Sequence, residues 1–253
     1  MADALLRIEN LSKRFGGIQA SDGISLAIPA GELHAVIGPN GAGKTTLVAQ
    51  LSGQLASDAG RIGFAGEDIT GLPMHRRSAR GLARSFQVTS LFLDFSVLDN
   101  VAFAVQAHDG HSFRFWSDAR RDRTLREPAR AALARVGLAE RAEWPAAKLS
   151  HGEHRQLELA MALAGKPRML LLDEPMAGMG PEESARMVKL LRELKRELTI
   201  MLVEHDMEAV FALADRITVL VYGRVIATGV PTDIRANPQV REAYLGEEEA
   251  AHG

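Results

Sequence analysis

The chain has 253 residues, of which 46% are hydrophobic, and its 30 basic and 32 acidic side chains leave a formal net charge of -2. That size and apolar content suit one α/β domain carrying a smaller helical lobe and exclude a disordered chain. There is no cysteine, which excludes disulfides, zinc–thiolate sites and thiol nucleophiles; balanced charge gives no global attraction to nucleic acid or to an anionic membrane.

In chain order, Met1 to Asn10 carries Asp3, Arg7 and Glu9, which is not the pattern of a secretory signal. Leu5 to Ile8, Ile24 to Ile28 and Arg61 to Ala65 read as short strands between Gly and Pro turns, suited to a small antiparallel sheet. Leu33 to Ile37 is a short, largely apolar strand that runs into a glycine-rich turn and then a helix from Lys44 to Leu51. The stretch from about 88 to 166 is mostly helical; Ala119 to Val136, rich in Arg and Ala, has no strand signal. Met169 to Leu172, Thr199 to Val203 and Ile217 to Val221 read as buried strands. Between them lie helical patterns at Glu182 to Leu194 and Met207 to Leu213. Strands alternating with helices predict a mainly parallel sheet covered on both faces. The expected plan is one domain over 1–253, with a core of 1–87 and 167–253 and a helical insert over about 88–166. No run approaches ~18 uninterrupted apolar residues, so any membrane role is expected to come through a partner. The tail from Glu247 to Gly253 is acidic and small, and is expected to fray.

Gly38-Pro39-Asn40-Gly41-Ala42-Gly43-Lys44-Thr45 fits the phosphate-loop pattern G-x-x-x-x-G-K-[ST], with Thr46 next. The glycines let the backbone curl so that successive N–H groups face phosphate oxygens, and the following helix presents its positive end. Lys44 is expected to reach the β- and γ-phosphates of ATP, and the Thr45 hydroxyl to hold Mg²⁺. Met169 to Glu174 is a buried strand ending in two carboxylates. Asp173 is placed to hold Mg²⁺ directly or through water, and Glu174 to orient or deprotonate the attacking water. His205 follows the Thr199 to Val203 strand, at the strand end where α/β sheets bind ligands. Ser150, with Glu153 three residues on, is a capping box at the start of a helix that runs to Leu163; a second anion-binding helix start is the alternative.

Taken in order, these motifs resemble the ATPase subunits of ABC transporters. Gln87, in Arg84-Ser-Phe-Gln, matches that family's Q-loop. Leu149-Ser-His-Gly-Glu153 resembles its signature, and His205 its switch histidine. The resemblance covers almost the whole chain. It implies that two subunits sandwich two ATP molecules head to tail, with Ser150, Gly152 and Glu153 of one facing the γ-phosphate held by Lys44 of the other. It implies adenine stacking on Phe15, contact of Gln87 with Mg²⁺ or the attacking water, and catalysis by Glu174 helped by His205. It also implies two membrane-spanning permease subunits, indirectly a solute-binding protein, and a place on the cytoplasmic face of the membrane. The signature departs from Ser-Gly-Gly-Gln, and Ala177-Gly-Met-Gly180 lacks the usual Asp of the following loop, which puts a cross-dimer contact in doubt.

Phe86 to Phe92, Val97 to Val101, Ala177 to Pro181, Glu204 to Met207 and the ending Asn237-Pro to Gly246 are similar to the LivG-type importers of branched-chain and other hydrophobic amino acids. Urea and amide importers have similar ATPases. Leu91, Phe92, Leu93 and Phe95 either fill the helical lobe or line a groove for a permease helix. The basic runs Arg76 to Arg80 and Arg114 to Arg126 lack an interleaved aromatic pattern, so no nucleic-acid partner is expected. A soluble ABC ATPase without a transport role is the further alternative.

Overall fold

A computed structural model of the chain describes residues 4–85, 91–109 and 122–243. In chain order the strands are β1 (Ala4–Phe15), β2 (Ile18–Pro29), β3 (Leu33–Ile37), β4 (Ala59–Phe64), β5 (Glu67–Asp68), β6 (Leu82–Arg84), β7 (Met169–Asp173), β8 (Thr199–Val203), β9 (Arg216–Val221) and β10 (Arg224–Gly229). The helices are α1 (Lys44–Ser52), α2 (Met74–Ala79), α3 (Val97–Asp109), α4 (Arg123–Arg135), α5 (His151–Ala164), α6 (Pro181–Leu194), α7 (Met207–Leu213) and α8 (Pro231–Ala236).

Two sheets form. One is antiparallel, in the order β2-β1-β4-β5; the other runs β10-β9-β3-β8-β7-β6. In the second, β9, β3, β8, β7 and β6 are parallel, and β10 closes the edge antiparallel to β9. Every residue of β3, β7 and β8 is buried. Apart from His34, Asp173 and Thr199 their residues are apolar, as expected of a sheet covered on both faces.

The antiparallel strands are longer than the sequence pattern suggests. β1 and β2 have 12 residues each. Their ladder shifts register between Ile8 and Leu11, where Asn10 has φ 47°. Asn tolerates this left-handed conformation, so the irregularity bends the strand without ending it.

The helical segment does not close on itself. Leu98, Val101, Leu133 and Leu157 share one buried cluster with Leu170, Leu172, Ile200 and Leu202 of the parallel sheet. The opposite face of that sheet, with Leu171, Met201 and Val203, packs on Leu47, Val48 and Leu51 of α1 and on the antiparallel sheet through Leu6, Ile8 and Phe64. Both faces of β7 are thus occupied, and its carboxyl end is held between α1 on one side and the helical segment on the other.

Candidate functional site

The parallel strands bring three loops side by side. β8 lies between β3 and β7, and Val36, Val203 and Asp173 fall in one row of the ladder. Gly38 follows β3, Glu204 and His205 follow β8, and Glu174 follows β7. The crevice beyond these carboxyl ends is where open α/β sheets bind ligands.

The loop after β3 is held by close backbone approach. A Cβ on Gly38 would lie 2.0 Å from the carbonyl oxygen of Leu220 in β9, and one on Gly43 would lie 2.1 Å from that of Ala20 in β2. Gly43, at φ 100°, is the residue from which α1 starts. Ala42 is buried, and its carbonyl accepts from the Gly223 N–H at 2.9 Å. Lys44 is buried, and its Nζ donates to the carbonyls of Gly38 at 2.5 Å and Pro39 at 2.9 Å. The ammonium is thereby folded back over the loop's concavity. Asn40, Gly41 and Thr45 are exposed, while Pro39 and Thr46 are half-buried.

Asp173, at the end of β7, has a fully buried carboxylate. Its Oδ2 accepts from Arg84 at 3.1 Å, while its Oδ1 is buried with no hydrogen-bond partner. Burial pushes its carboxyl above the usual range; Arg84 pulls it back, Glu174 pushes it further, and Lys44 lowers it. A buried acceptor without a donor needs a compensating positive partner. The carboxylate–hydroxyl donor set of Asp173 and Thr45 fits a hard cation such as Mg²⁺.

Glu174 stands at φ 50°, a left-handed conformation uncommon for a side chain of this size. Its N–H donates to the Val203 carbonyl at 2.9 Å, and its carbonyl accepts from Ala177 at 3.1 Å. These bonds hold the turn while the carboxylate stays about one-third exposed, 4.0 Å from Nδ1 of His205. Beneath them lies Glu204, the first residue of the run Glu204 to Met207 and given no role of its own by the sequence. It is 1% exposed, and its two oxygens accept from the N–H groups of Met176 at 2.9 Å and His205 at 3.2 Å. It therefore ties the loop after β7 to the loop after β8. Burial raises its carboxyl above the ordinary value.

The signature residues lie elsewhere. Ser150 caps α5, with both bonds of the capping box made: Glu153 N–H to Ser150 Oγ at 3.2 Å and Ser150 N–H to Glu153 Oε2 at 2.9 Å. Ser150, Gly152 and Glu153 line an open cleft of about 580 Å³ together with Arg141, Glu183 and Arg186; none of the residues 38–46 lines it. One chain thus brings Lys44, Asp173, Glu174 and His205 together and sets Ser150, Gly152 and Glu153 apart. Glu183, in the first turn of α6, went unread in the sequence. Its Oε1 accepts from Ser150 Oγ at 3.2 Å, and a Cβ on Gly152 would lie 2.6 Å from it. The signal was available: Glu183 lies three residues after Gly180 at a Gly-Pro helix start.

Phe15 is 48% exposed at the tip of β1, with Lys13 Nζ 5.6 Å from its ring centre. Gln87 lies outside the described residues, as does most of the basic run after residue 110. Phe92, Phe95 and Phe103 form three edge-on ring pairs 5.5–5.6 Å apart, and Phe92 and Leu93 remain about half exposed. The aromatic cluster is therefore both packed within the helical segment and open on one side.

Comparison with known proteins bears on this arrangement. Residues 21–177 match the model described as "ABC transporter". The chain is 38% identical to the high-affinity branched-chain amino acid transport ATP-binding protein BraF of Pseudomonas aeruginosa, over 98% of this chain and all of that one. The chain belongs to the ABC transporter ATPase family. It is also 36% identical to LivG of Escherichia coli, across 98% of this chain and all of LivG. Residues 224–250 match the model described as "Branched-chain amino acid ATP-binding cassette transporter". Among solved structures, the ADP conformation of the cassette MJ1267 superposes with a TM-score of 0.86 at 30% identity, covering 97% of this chain and all of that one. A nucleotide-free ABC cassette gives 0.85 at 29% identity, covering 96% and 99%. The two-sheet architecture with its helical segment is that of an ABC ATPase, a nucleotide-binding, ATP-hydrolysing fold. Among the described residues, no helix of this ABC ATPase is long and apolar enough to cross a membrane.

Proposed function

We propose that this ABC ATPase powers uptake of branched-chain or other hydrophobic amino acids from the cytoplasmic face of the membrane. It would pair with a second ATPase subunit and act through two membrane-spanning permease subunits supplied by a solute-binding protein. The observation that carries the cargo reading is the end-to-end similarity to BraF and LivG, together with the match over residues 224–250.

The chemistry follows from the site. Backbone N–H groups of 38–46 and the N-terminus of α1 cradle the phosphates, and Lys44 exchanges its two carbonyl partners for phosphate oxygens. Phe15 stacks on the adenine. Thr45 and Asp173 would hold Mg²⁺, which would offset charge on the β- and γ-phosphates. Glu174 orients a water and takes its proton as the water oxygen bonds to the γ-phosphorus and the bond to the β-phosphate oxygen breaks. His205 steadies the γ-phosphate beside Glu174, and Gln87 senses it. Ser150, Gly152 and Glu153 of one protomer close over the nucleotide of its partner.

Glu174→Gln should keep ATP binding and slow hydrolysis by roughly 10²–10⁴-fold. From detergent-solubilised membranes, the tagged variant with ATP and Mg²⁺ should recover polytopic permease subunits by mass spectrometry. Wild-type chain should restore uptake of labelled leucine to cells lacking it, and Glu174→Gln should not. Recovery of soluble proteins alone would overturn the transport reading. Restored urea or amide uptake with no change in leucine uptake would overturn the cargo.

A further inference from the structure

Arg84 ends the short edge strand β6, and its role is set by where its two terminal nitrogens go. β6 pairs with β7 in parallel, Arg84 opposite Leu171. Successive side chains of a strand alternate faces, so Leu171 and Asp173 share one face of β7. Leu171 packs there on Leu47, Val48 and Leu51 of the phosphate-loop helix α1. Arg84 reaches along this face with a side chain only 7% exposed. Its Nη2 donates to Asp173 Oδ2 at 3.1 Å, and its Nη1 donates to Oε1 of Gln54 at 2.6 Å, just past the end of α1, and at 3.5 Å to Oγ of Ser52, the last residue of α1.

We propose that Arg84 is a positioning residue for the metal half of the nucleotide site: it pins Asp173 through Oδ2, leaves Oδ1 for the cation, and references that carboxylate to the helix that follows the phosphate loop. The inference rests on the reading of Asp173 as a cation ligand. It explains why one carboxylate oxygen accepts from a guanidinium while the other, also buried, has no partner among the described residues. It also accounts for arginine at this position. A guanidinium forks to two acceptors in fixed geometry, whereas a lysine ammonium is a point charge on a flexible stem. Residues that orient a metal ligand typically change metal affinity 10–100-fold when replaced. Without Arg84, Asp173 would be a buried anion beside Glu174 with its nearest cation gone.

The test uses the full chain loaded with a non-hydrolysable ATP analogue. Mn²⁺ affinity is read by electron paramagnetic resonance, and analogue affinity in EDTA by fluorescence. Arg84→Met should weaken Mn²⁺ binding about tenfold or more while metal-free nucleotide affinity stays within about twofold. Arg84→Lys, which keeps a cation at the site, should fall between Arg84→Met and wild type. If Arg84→Met does not fold, the lysine variant carries the same comparison. Asp173→Asn is the control. If it loses Mn²⁺ affinity while both Arg84 variants keep wild-type affinity, the positioning role is wrong and the metal reading stands. If Asp173→Asn also binds Mn²⁺ normally, both fall. Equal loss of metal-free nucleotide affinity in Arg84→Met would likewise overturn the inference.

Discussion

The glycines of the phosphate loop are not equivalent. Gly38 and Gly43 would each drive a Cβ onto a backbone carbonyl, whereas Gly41, at φ 77°, has nothing within 4 Å of where its Cβ would lie. Gly38→Ala and Gly43→Ala should each cost about 2–4 kcal/mol, adding overpacking to unfavourable backbone conformation. Gly41→Ala should cost about 1 kcal/mol, from conformation alone. Urea unfolding of the three variants checks the order. Glu158 carries a second prediction at this scale. It is 6% exposed, with one oxygen accepting from Arg155 NH1 at 3.0 Å and the other buried without a partner. Burial raises its carboxyl above the reference value of 4.5, and Arg155 lowers it in part. The native state therefore binds this proton more tightly than the unfolded chain does. Its contribution to stability is complete below the unfolded value and is lost as pH rises through the raised native value. The melting temperature of wild type relative to Glu158→Gln should fall as pH rises above the unfolded value. A constant difference would mean that Glu158 titrates as in the unfolded chain. At this scale the motif residues were legible because phosphate chemistry demands them. Arg84 and Glu204 were not, because their partners lie in other loops and no local spacing announces them; Glu183 is announced by its spacing from Gly180, but its partner Ser150 is not.

Helix α5 separates two roles of one serine. Ser150 caps the helix and donates to Glu183, and the proposed function also sends it to a phosphate. Ser150→Ala should lose about 1 kcal/mol of stability as a broken cap, and Ser150→Gly only a few tenths. Both should lose ATP hydrolysis if the hydroxyl meets phosphate, so Ser150→Gly gives near-native stability with impaired turnover. Native turnover in Ser150→Gly would leave the cap as the residue's whole role. Among elements, β3, β8 and α7 match their sequence bounds, and β7, β9 and α1 match within one residue. Those strands are largely apolar and buried, and α1 and α7 bury Leu47, Val48 and Leu51, and Ala209, Val210 and Leu213. The edges were less legible. β6 has three residues, and β10 shows no alternation, with half-exposed residues along most of its length. Such strands owe their form to the neighbour they pair with.

Across the whole molecule, strand order was hidden from the sequence. β8 inserts between β3 and β7, which sets His205 beside Glu174; only tertiary pairing decides that. The separation of the Lys44 site from the Ser150 cleft has a kinetic consequence. Specific ATPase activity per chain should rise with chain concentration, or on adding a partner ATPase, because a complete site needs two chains. Activity proportional to chain concentration at every dilution would show that one chain suffices. A different consequence follows from the carbonyls of Ala20 and Leu220 that bracket the phosphate loop. The loop is encoded by residue 46, yet its second wall is made only when the ribosome has passed residue 220. At about 5–20 residues per second that is a delay of roughly 10–35 s. A nascent chain that has not reached residue 220 therefore carries the phosphate loop without the backbone against which Gly38 packs.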